Sequence, residues 1–349
     1  MSVTTHERPG VYSEYDASSV VSGSGAGKQV GLVAVNAKAA ANEVKIVTSY
    51  DGAVNAFGQG TMAELVRLAL KNGAGAVAAV PIAGGEGYAD GFAALEGLED
   101  ITAVICDSTD GDVQKAMKQS VETASANRRE RIAVAAGGAG ETVDQLIARA
   151  KALNHERVVL VAPGGVNQNG EAADGLGVAA AVAGAIAGES DPAVPLGGAV
   201  LTGLYGLSGR YSDGEMDRLI LGGVTPVESL AGTIGVVRGV TTRTTTGEAA
   251  DATWRDLTTI RIVDDVIPTL RRALRTKFQR AKNTAQSRGA IRAQVVLELE
   301  NKKAREIITG YENVTVTADS QDPARCLVDF SFTVAHGLNQ IWLTAHITV

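Results

Sequence analysis

Residues 76–83 read AVAAVPIA, 101–108 ITAVICDS, 131–137 RIAVAAG and 157–164 RVVLVAPG. Each is a nearly continuous aliphatic run of strand length, which suits a strand covered on both faces better than one with a wet side. Between them lie segments of helical spacing at 88–98, 111–127 and 141–154, and another follows at 171–187. Strand and helix in alternation predict an α/β body: a helix-covered, mostly parallel sheet with right-handed crossovers.

Upstream, QVGLVAVNA from Gln29 and EVKIVTS from Glu43 add two strand candidates. Thr61 and Glu64 have the spacing of a capping box, opening a helix that runs through Asn72. The first 22 residues, interrupted by Pro9 and Gly10 and rich in Ser, Thr and Val, read as an extended arm without a core of its own. Downstream, 192–253 is rich in Gly and Thr and predicts irregular β structure. A different region begins near Trp254. Apolar Ile262, Val263, Val266, Ile267, Leu270, Leu274 and Phe278 recur every three or four residues, predicting an amphipathic helix that Pro268 should kink or break. A second helix is expected over Ala290–Asn301, followed by strands in YENVTVTA, CLVDFSFTV and IWLTAHITV. The last runs to Val349 and needs a sheet edge to receive it. The domains predicted are an arm over 1–22, an outer α/β body over 23–253, an inner α+β domain over 254–341 and a strand arm over 342–349.

The 349 residues suffice for one large or two ordinary domains. Hydrophobic content of 45% with 20% charged residues excludes wholesale disorder. With 41 glycines and only 4% aromatics the core must be built from small aliphatics, so contacts between copies are expected to supplement it. No run approaches the roughly 18 apolar residues of a membrane span. The start, MSVTTHERPGVY, lacks the apolar stretch of a secretory signal, so synthesis in the cytoplasm is expected. Cys106 and Cys326 both sit in apolar runs and read as buried thiols rather than a disulfide.

A net charge of −7 argues against a globally basic nucleic-acid binder. One region runs the other way. Arg271, Arg272, Arg275, Lys277, Arg280, Lys282, Arg288 and Arg292 follow one another without an Asp or Glu, a local +8 that leaves −15 for the rest. Solvated helix faces usually alternate sign, so this run predicts an acidic partner surface.

Chemical motifs are incomplete. GSGAGKQ (23–29) lacks the phosphate-loop pattern because Ser22 and Gln29 stand where Gly and Ser or Thr are needed. It reads better as a hinge at Gly23, Gly25 and Gly27, glycine being free to take backbone angles other residues avoid. GGAGET (137–142) follows a strand and opens a helix, but Val143 stands where a dinucleotide fingerprint needs Gly. APGGVNQNGE (162–171) is expected to repeat that geometry. His6, His155, His336 and His346 lack metal-site spacing, and no G-x-S-x-G elbow occurs. Asp107, Asp110 and Asp112 cluster after a strand and read as capping and solvated carboxylates. Neither cofactor nor metal is expected.

ERPGVYSEYDASS (7–19) resembles the Pro-Gly-Val-Tyr opening of contractile tail sheath proteins from myophages, phage-tail-like bacteriocins and related injection machines. HGLNQIWLTAHITV (336–349), coming after a basic helix and the turn ADSQDPARC, resembles their C-terminal end. GLYGLSGRYSDGEMDRLILGGVTPVE (203–228) matches more loosely. The resemblance implies a structural subunit, not an enzyme, stacked helically with its own copies in rings of six around an inner tube. A baseplate and a tail terminator bound the stack, and contraction drives the tube through a target envelope. It also implies that both arms add strands to neighbouring subunits. The donors would be Pro9, Gly10, Val11, Tyr12, Val20 and Val21 at one end and Trp342, Leu343, Ile347 and Val349 at the other, the recipients strands near 311–318 and 326–334. Arg271, Arg272, Arg275, Lys277, Arg280 and Lys282 would face the tube. Neither direct nucleic-acid contact nor membrane insertion is implied. The competing classes are a Rossmann-like nucleotide-binding enzyme, which needs a complete phosphate signature, and a soluble binding module, which would not form tubes.

Overall fold

The computed structural model describes residues 29–339 and Thr344. The donor residues at both ends and the glycines at 23, 25 and 27 lie outside them. Two compact units separate, one holding described residues 29–190, 194–260 and 336–339, the other 191–193 and 261–335.

The first unit carries a nine-stranded sheet. Its strands are β1 (Gln29–Val35), β2 (Lys45–Val47), β3 (Ala76–Ile82), β4 (Ile101–Cys106), β5 (Ile132–Ala136), β6 (Val158–Ala162), β7 (Val200–Leu201), β8 (Val224–Leu230) and β9 (Thr233–Val236), in the order β2-β3-β1-β4-β5-β6-β8-β9-β7. From β3 to β8 all neighbours are parallel, in a register that sets Leu32 beside Ala79 and Ile105, and Ala135 beside Leu160. The four runs that predicted doubly covered strands are those strands, and every residue of β3, β5 and β6 is buried. The outer strands β2, β9 and β7 pair antiparallel.

Helices cover both faces. The helices are α1 (Tyr50–Phe57), α2 (Thr61–Lys71), α3 (Tyr88–Glu96), α4 (Gly111–Ala126), α5 (Val143–Leu153), α6 (Leu176–Gly188) and α7 (Asp213–Leu221). On one face Phe92, Leu95, Met117, Val121, Leu146 and Leu219 from α3, α4, α5 and α7 meet Val33, Val80, Ala135 and Leu160 of the sheet. On the other, α2 packs on α6, which packs on β4 and β5. The α6 sequence LGVAAAVAGAIAG has no polar stripe, and nine of its thirteen residues are buried. Its approach to α2 depends on glycine: a Cβ on Gly184 would stand 2.3 Å from the Ala69 carbonyl oxygen. The buried Arg131 closes α3, donating to the Leu95 and Leu98 carbonyls at 3.0 and 2.6 Å, with a third bond to Arg129 O at 3.2 Å. These bonds tie the last turn of α3, and the residues that leave it, to the start of β5.

Several expectations are corrected. The α2 helix is capped by Gly60, so Thr61 lies inside it and no capping box forms; Glu64 pairs with Arg67 instead. The Gly/Thr-rich stretch contributes β8 to the main sheet and an ordered helix, α7, opened by a capping box of Ser212 and Glu215. Residues 163–175 do not lead directly into a helix. They double back as a tied turn, Gly165 N–H donating to Asp174 O at 3.0 Å, so α6 starts at Leu176 rather than near 171. Past β9, an exposed two-strand hairpin of β10 (Thr245–Thr246) and β11 (Ala249–Ala250) completes the segment.

The second unit contains most of α8 (Leu257–Phe278), then α9 (Ala285–Ala304), β12 (Ile308–Ala318) and β13 (Cys326–Val334). Pro268 does not break α8, which runs unbroken for 22 residues. Buried Val266, Ile267 and Leu270 hold the chain on both sides of the proline, and Lys302 of α9 pairs with Asp265 one turn before it. The packing outweighs the lost hydrogen bond.

Candidate assembly interface

The crevice at the carboxyl ends of β1 and β4, where the strand order reverses and α/β sheets hold ligands, is closed by the chain itself. Asp107 Oδ2 accepts from Val35 N–H at 2.9 Å and Oδ1 from the Tyr88 hydroxyl at 2.6 Å. Burial first, and this hydrogen bond second, push the Tyr88 phenol far above its ordinary value. Asp110 caps α4 through Asp112 and Val113 N–H, while Asp112 pairs with Lys115.

The glycine turn before α5 is likewise self-satisfied. Glu141 Oε2 accepts from Gly138 N–H at 2.9 Å, and the same carboxylate is gripped by Arg149. Arg149 in turn donates to Thr109 O at 2.7 Å. Burial alone would raise the Glu141 carboxyl, but bonding from Arg149 and Gly138 outweighs it and holds the group below the usual carboxylate range. The chain's own anion therefore sits where a phosphate would be bound. The adjoining cleft, about 150 Å³, is lined by Glu141, Pro163, Ser208, Arg210 and Tyr211. Cys106 is buried and Cys326 half-buried, both free, and burial raises the Cys106 thiol to about 12. Among the described residues no group of three His, Cys, Asp or Glu is placed to hold a metal.

The second unit presents a different geometry. β12 and β13 form an antiparallel two-stranded sheet, Glu312 opposite Ser331 and Val316 opposite Val328, with α9 against it. Alternation divides β13 into an inward set, Cys326, Val328, Phe330, Phe332 and Val334, and an exposed set, Leu327, Asp329, Ser331 and Thr333. Phe330 and Phe332 stack with ring centres 6.3 Å apart. Arg292 of α9 ties the layers by donating to Val314 O at 2.8 Å. Among the described residues each strand has one neighbour, so each offers an outer edge of N–H and C=O groups. Isolated two-stranded ribbons are marginal in water, and exposed edges of this length are templates for a further strand.

The basic run does not lie on one helix face. Arg271, Arg272, Arg275 and Lys277 belong to α8, but Arg280 and Lys282 fall in the turn before α9, whose N-cap is Thr284. Arg272, Arg275, Arg280 and Lys282 are exposed and Arg271 is half-buried. Lys277 turns toward α9 and bonds Gln294 Oε1 at 2.5 Å.

The body's crevice is filled by its own side chains, and the small sheet pairs with no further strand among the described residues, a geometry suited to association with further copies. Residues 82–242 match the family model of the phage tail sheath protein central domain, and 249–348 that of the phage tail sheath C-terminal domain. The chain belongs to the phage tail sheath family, the structural subunits of contractile tails. Solved structures agree in fold. The sheath tail protein of Desulfitobacterium hafniense is 13% identical with a TM-score of 0.70, over 93% of this chain and 100% of that one. The contracted helical sheath of the anti-feeding prophage is 17% identical with a TM-score of 0.73, over 98% and 99%. The contracted PVC sheath of an extracellular contractile injection system is 17% identical with a TM-score of 0.71, over 99% of each. No curated protein matches the sequence.

Proposed function

We propose that copies of this chain polymerise as six-membered rings stacked around an inner tube, between a baseplate and a terminator, and that contraction drives the tube through a target envelope. The observation that carries the reading is the β12–β13 sheet with an open edge on either side. Strand addition gains main-chain hydrogen bonds without a shaped pocket. It is head-to-tail, and such contacts give open helical arrays when they do not close. The donors are residues 10–22 and 342–349 of adjacent copies, and glycines 23, 25 and 27 let a body turn while its arm stays paired. Related proteins are found in a contracted helical sheath and a baseplate assembly, which supports self-assembly and baseplate docking here.

The work is stored in assembly and the subunit is not an enzyme. If contraction adds about 500 Å² of apolar contact per subunit, at about 25 cal/mol per Å² it releases roughly 12 kcal/mol before opposing entropic and polar costs. Arg271, Arg272, Arg275, Lys277, Arg280 and Lys282 face the tube, where individually weak charge pairs are given up as the sheath moves outward. The protein is made in the bacterial cytoplasm and becomes part of a tail-like particle. Negative-stain microscopy of the purified protein tests this: striated tubes are expected, and their persistence after deletion of 1–20 or 342–349 refutes strand donation. Arg275→Glu with Arg280→Glu should weaken assembly on tubes; normal assembly refutes the tube-facing assignment.

A further inference from the structure

The turn that carries the chain from α5 into β6 also holds the β10–β11 hairpin. Asn154 Oδ1 accepts from Thr244 and Thr245 N–H at 3.1 and 3.3 Å, and its Nδ2 donates to Thr245 O at 3.1 Å. His155 N–H donates to the Thr242 hydroxyl at 3.0 Å, and that hydroxyl donates to His155 O at 3.1 Å. Arg243 donates to Glu156 Oε2 at 2.7 Å and to Thr246 Oγ1 at 2.9 Å. Residues 154–156 thus clasp 242–246, while β10 and β11 beyond pair with each other and are largely exposed. Two polar atoms of the clasped segment, Arg243 Nε and Thr244 Oγ1, are buried without a protein partner, so the closed state leaves bonds unmade that opening gives to water.

His155 is the member of the clasp that can change charge near neutral pH. Its Nδ1 accepts from Arg157 N–H at 3.0 Å and its Nε2 lies 3.0 Å from Glu122 Oε1 of α4, so the ring is neutral with its one proton on Nε2. The charged groups about it are Glu122 and Lys118 of α4, which pair at 3.6 Å, Glu156 and Arg157 beside it in the chain, and Arg243 behind Glu156. Burial holds the imidazole below its ordinary value, outweighing the pull of Glu156 and Glu122. A second proton has to sit on Nδ1, where Arg157 N–H already points. Two donors then face each other, and the carboxylates of Glu122 and Glu156 draw the cationic ring away from Arg157 N–H. Because the N–H and C=O of this same residue hold Thr242, a turn of its ring and backbone undoes the clasp at its centre.

We propose that His155 is an acid-operated catch: when its ring takes up a second proton, the turn at 154–157 lets go of residues 242–246 and the β10–β11 hairpin swings away from the body. The catch acts within a single copy and stands whether or not copies form tubes. Once open, the ring is in water and binds its proton at the ordinary value of about 6.5, above that of the clasped state. Opening therefore takes up a proton, and between the two values each unit of falling pH favours the open hairpin by up to about tenfold. Amide exchange in the dilute full-length subunit, corrected for the intrinsic rate at each pH, tests this. Over residues 243–251 the corrected rate should rise about tenfold from about pH 7 to about pH 5 while β5 stays unchanged; equal corrected rates overturn the catch. His155→Asn, which keeps an acceptor for Arg157 N–H but cannot titrate, should abolish the rise. A rise that persists in that variant assigns the response to the carboxylates and overturns the role of His155. In the unaltered chain the Cε1 proton resonance of the imidazole gives a readout that needs no variant: its midpoint should lie below about 6.5 and coincide with the exchange midpoint. A midpoint at the ordinary value, or one that exchange does not follow, overturns the proposal.

Discussion

Replacing Gly184 by Ala sets two effects of opposite sign against each other. In an open helix the change is favourable by about 1 kcal/mol, because glycine loses more backbone freedom on ordering. In α6 the new methyl would stand 2.3 Å from Ala69 O and 3.0 Å from both Ala69 C and the Asn72 Cβ. A methyl carbon needs about 3.4 Å or more from such atoms, and no flexible side-chain end is there to move aside. The α2 and α6 axes must part by about 1 Å, and Gly188 against Gly73, where a Cβ would meet backbone at 2.8 Å, blocks a simple pivot. Overpacking of this kind costs about 1–3 kcal/mol and more when backbone must shift, so the steric term wins and Gly184→Ala should destabilise the body by about 2 kcal/mol. Urea unfolding of the monomeric subunit, followed with exchange on α6 peptides, measures it. Gly289→Ala, in a helix with nothing within 4 Å of the new methyl, is the control and should stabilise its unit by up to about 1 kcal/mol. If Gly184→Ala is as stable as the parent, close helix approach does not govern this packing.

Arg131→Met keeps the buried volume but strips the bonds to Leu95 and Leu98 carbonyls. Burial lowers the Arg131 guanidinium to about 10, so part of what its bonds provide is spent on desolvation, and a net loss of about 3 kcal/mol is expected by denaturant midpoint; a loss under 1 kcal/mol would contradict the capping role. Glu141 is held below its ordinary value in the folded chain, so the unfolded chain takes up the proton first as pH falls. Its contribution is complete above about pH 4.5 and is lost as pH drops through the lowered value. Glu141→Gln should therefore cost about 2 kcal/mol at neutral pH and flatten the acid limb of the stability profile, as read by urea titration between pH 3 and 7; an unaltered limb refutes it.

Strands that are buried on both faces announced themselves, since β3, β5 and β6 carry no polar side chain and β4 carries only Thr102. β8 stayed hidden because Pro226 and Glu228 interrupt its apolar run, and what recruits it is pairing to β6 with Val161 beside Thr225. α1 was readable but short: Tyr50, Ala53, Val54 and Phe57 fall at helical spacing behind Ser49, whose hydroxyl accepts from Gly52 N–H at 3.1 Å; the Ser212 and Glu215 box before α7 was a readable signal too. At the interface, period-two alternation disclosed β12 and β13. That the basic run divides between a helix and a turn depends on where Thr284 starts α9, which charge spacing does not encode. The plugging of the crevice by Asp107 and of the glycine turn by Glu141 required three-dimensional proximity.

A helix with no wet side leaves its surroundings a single arrangement. Because α6 is greasy all the way round, α2 and the strands it lies on cannot slide off it without bringing a wholly water-averse cylinder to the surface, so the body is built to move as one brick. If copies stack as proposed, any shortening of the array falls to the mortar, the joints between bricks, and not to the bricks themselves.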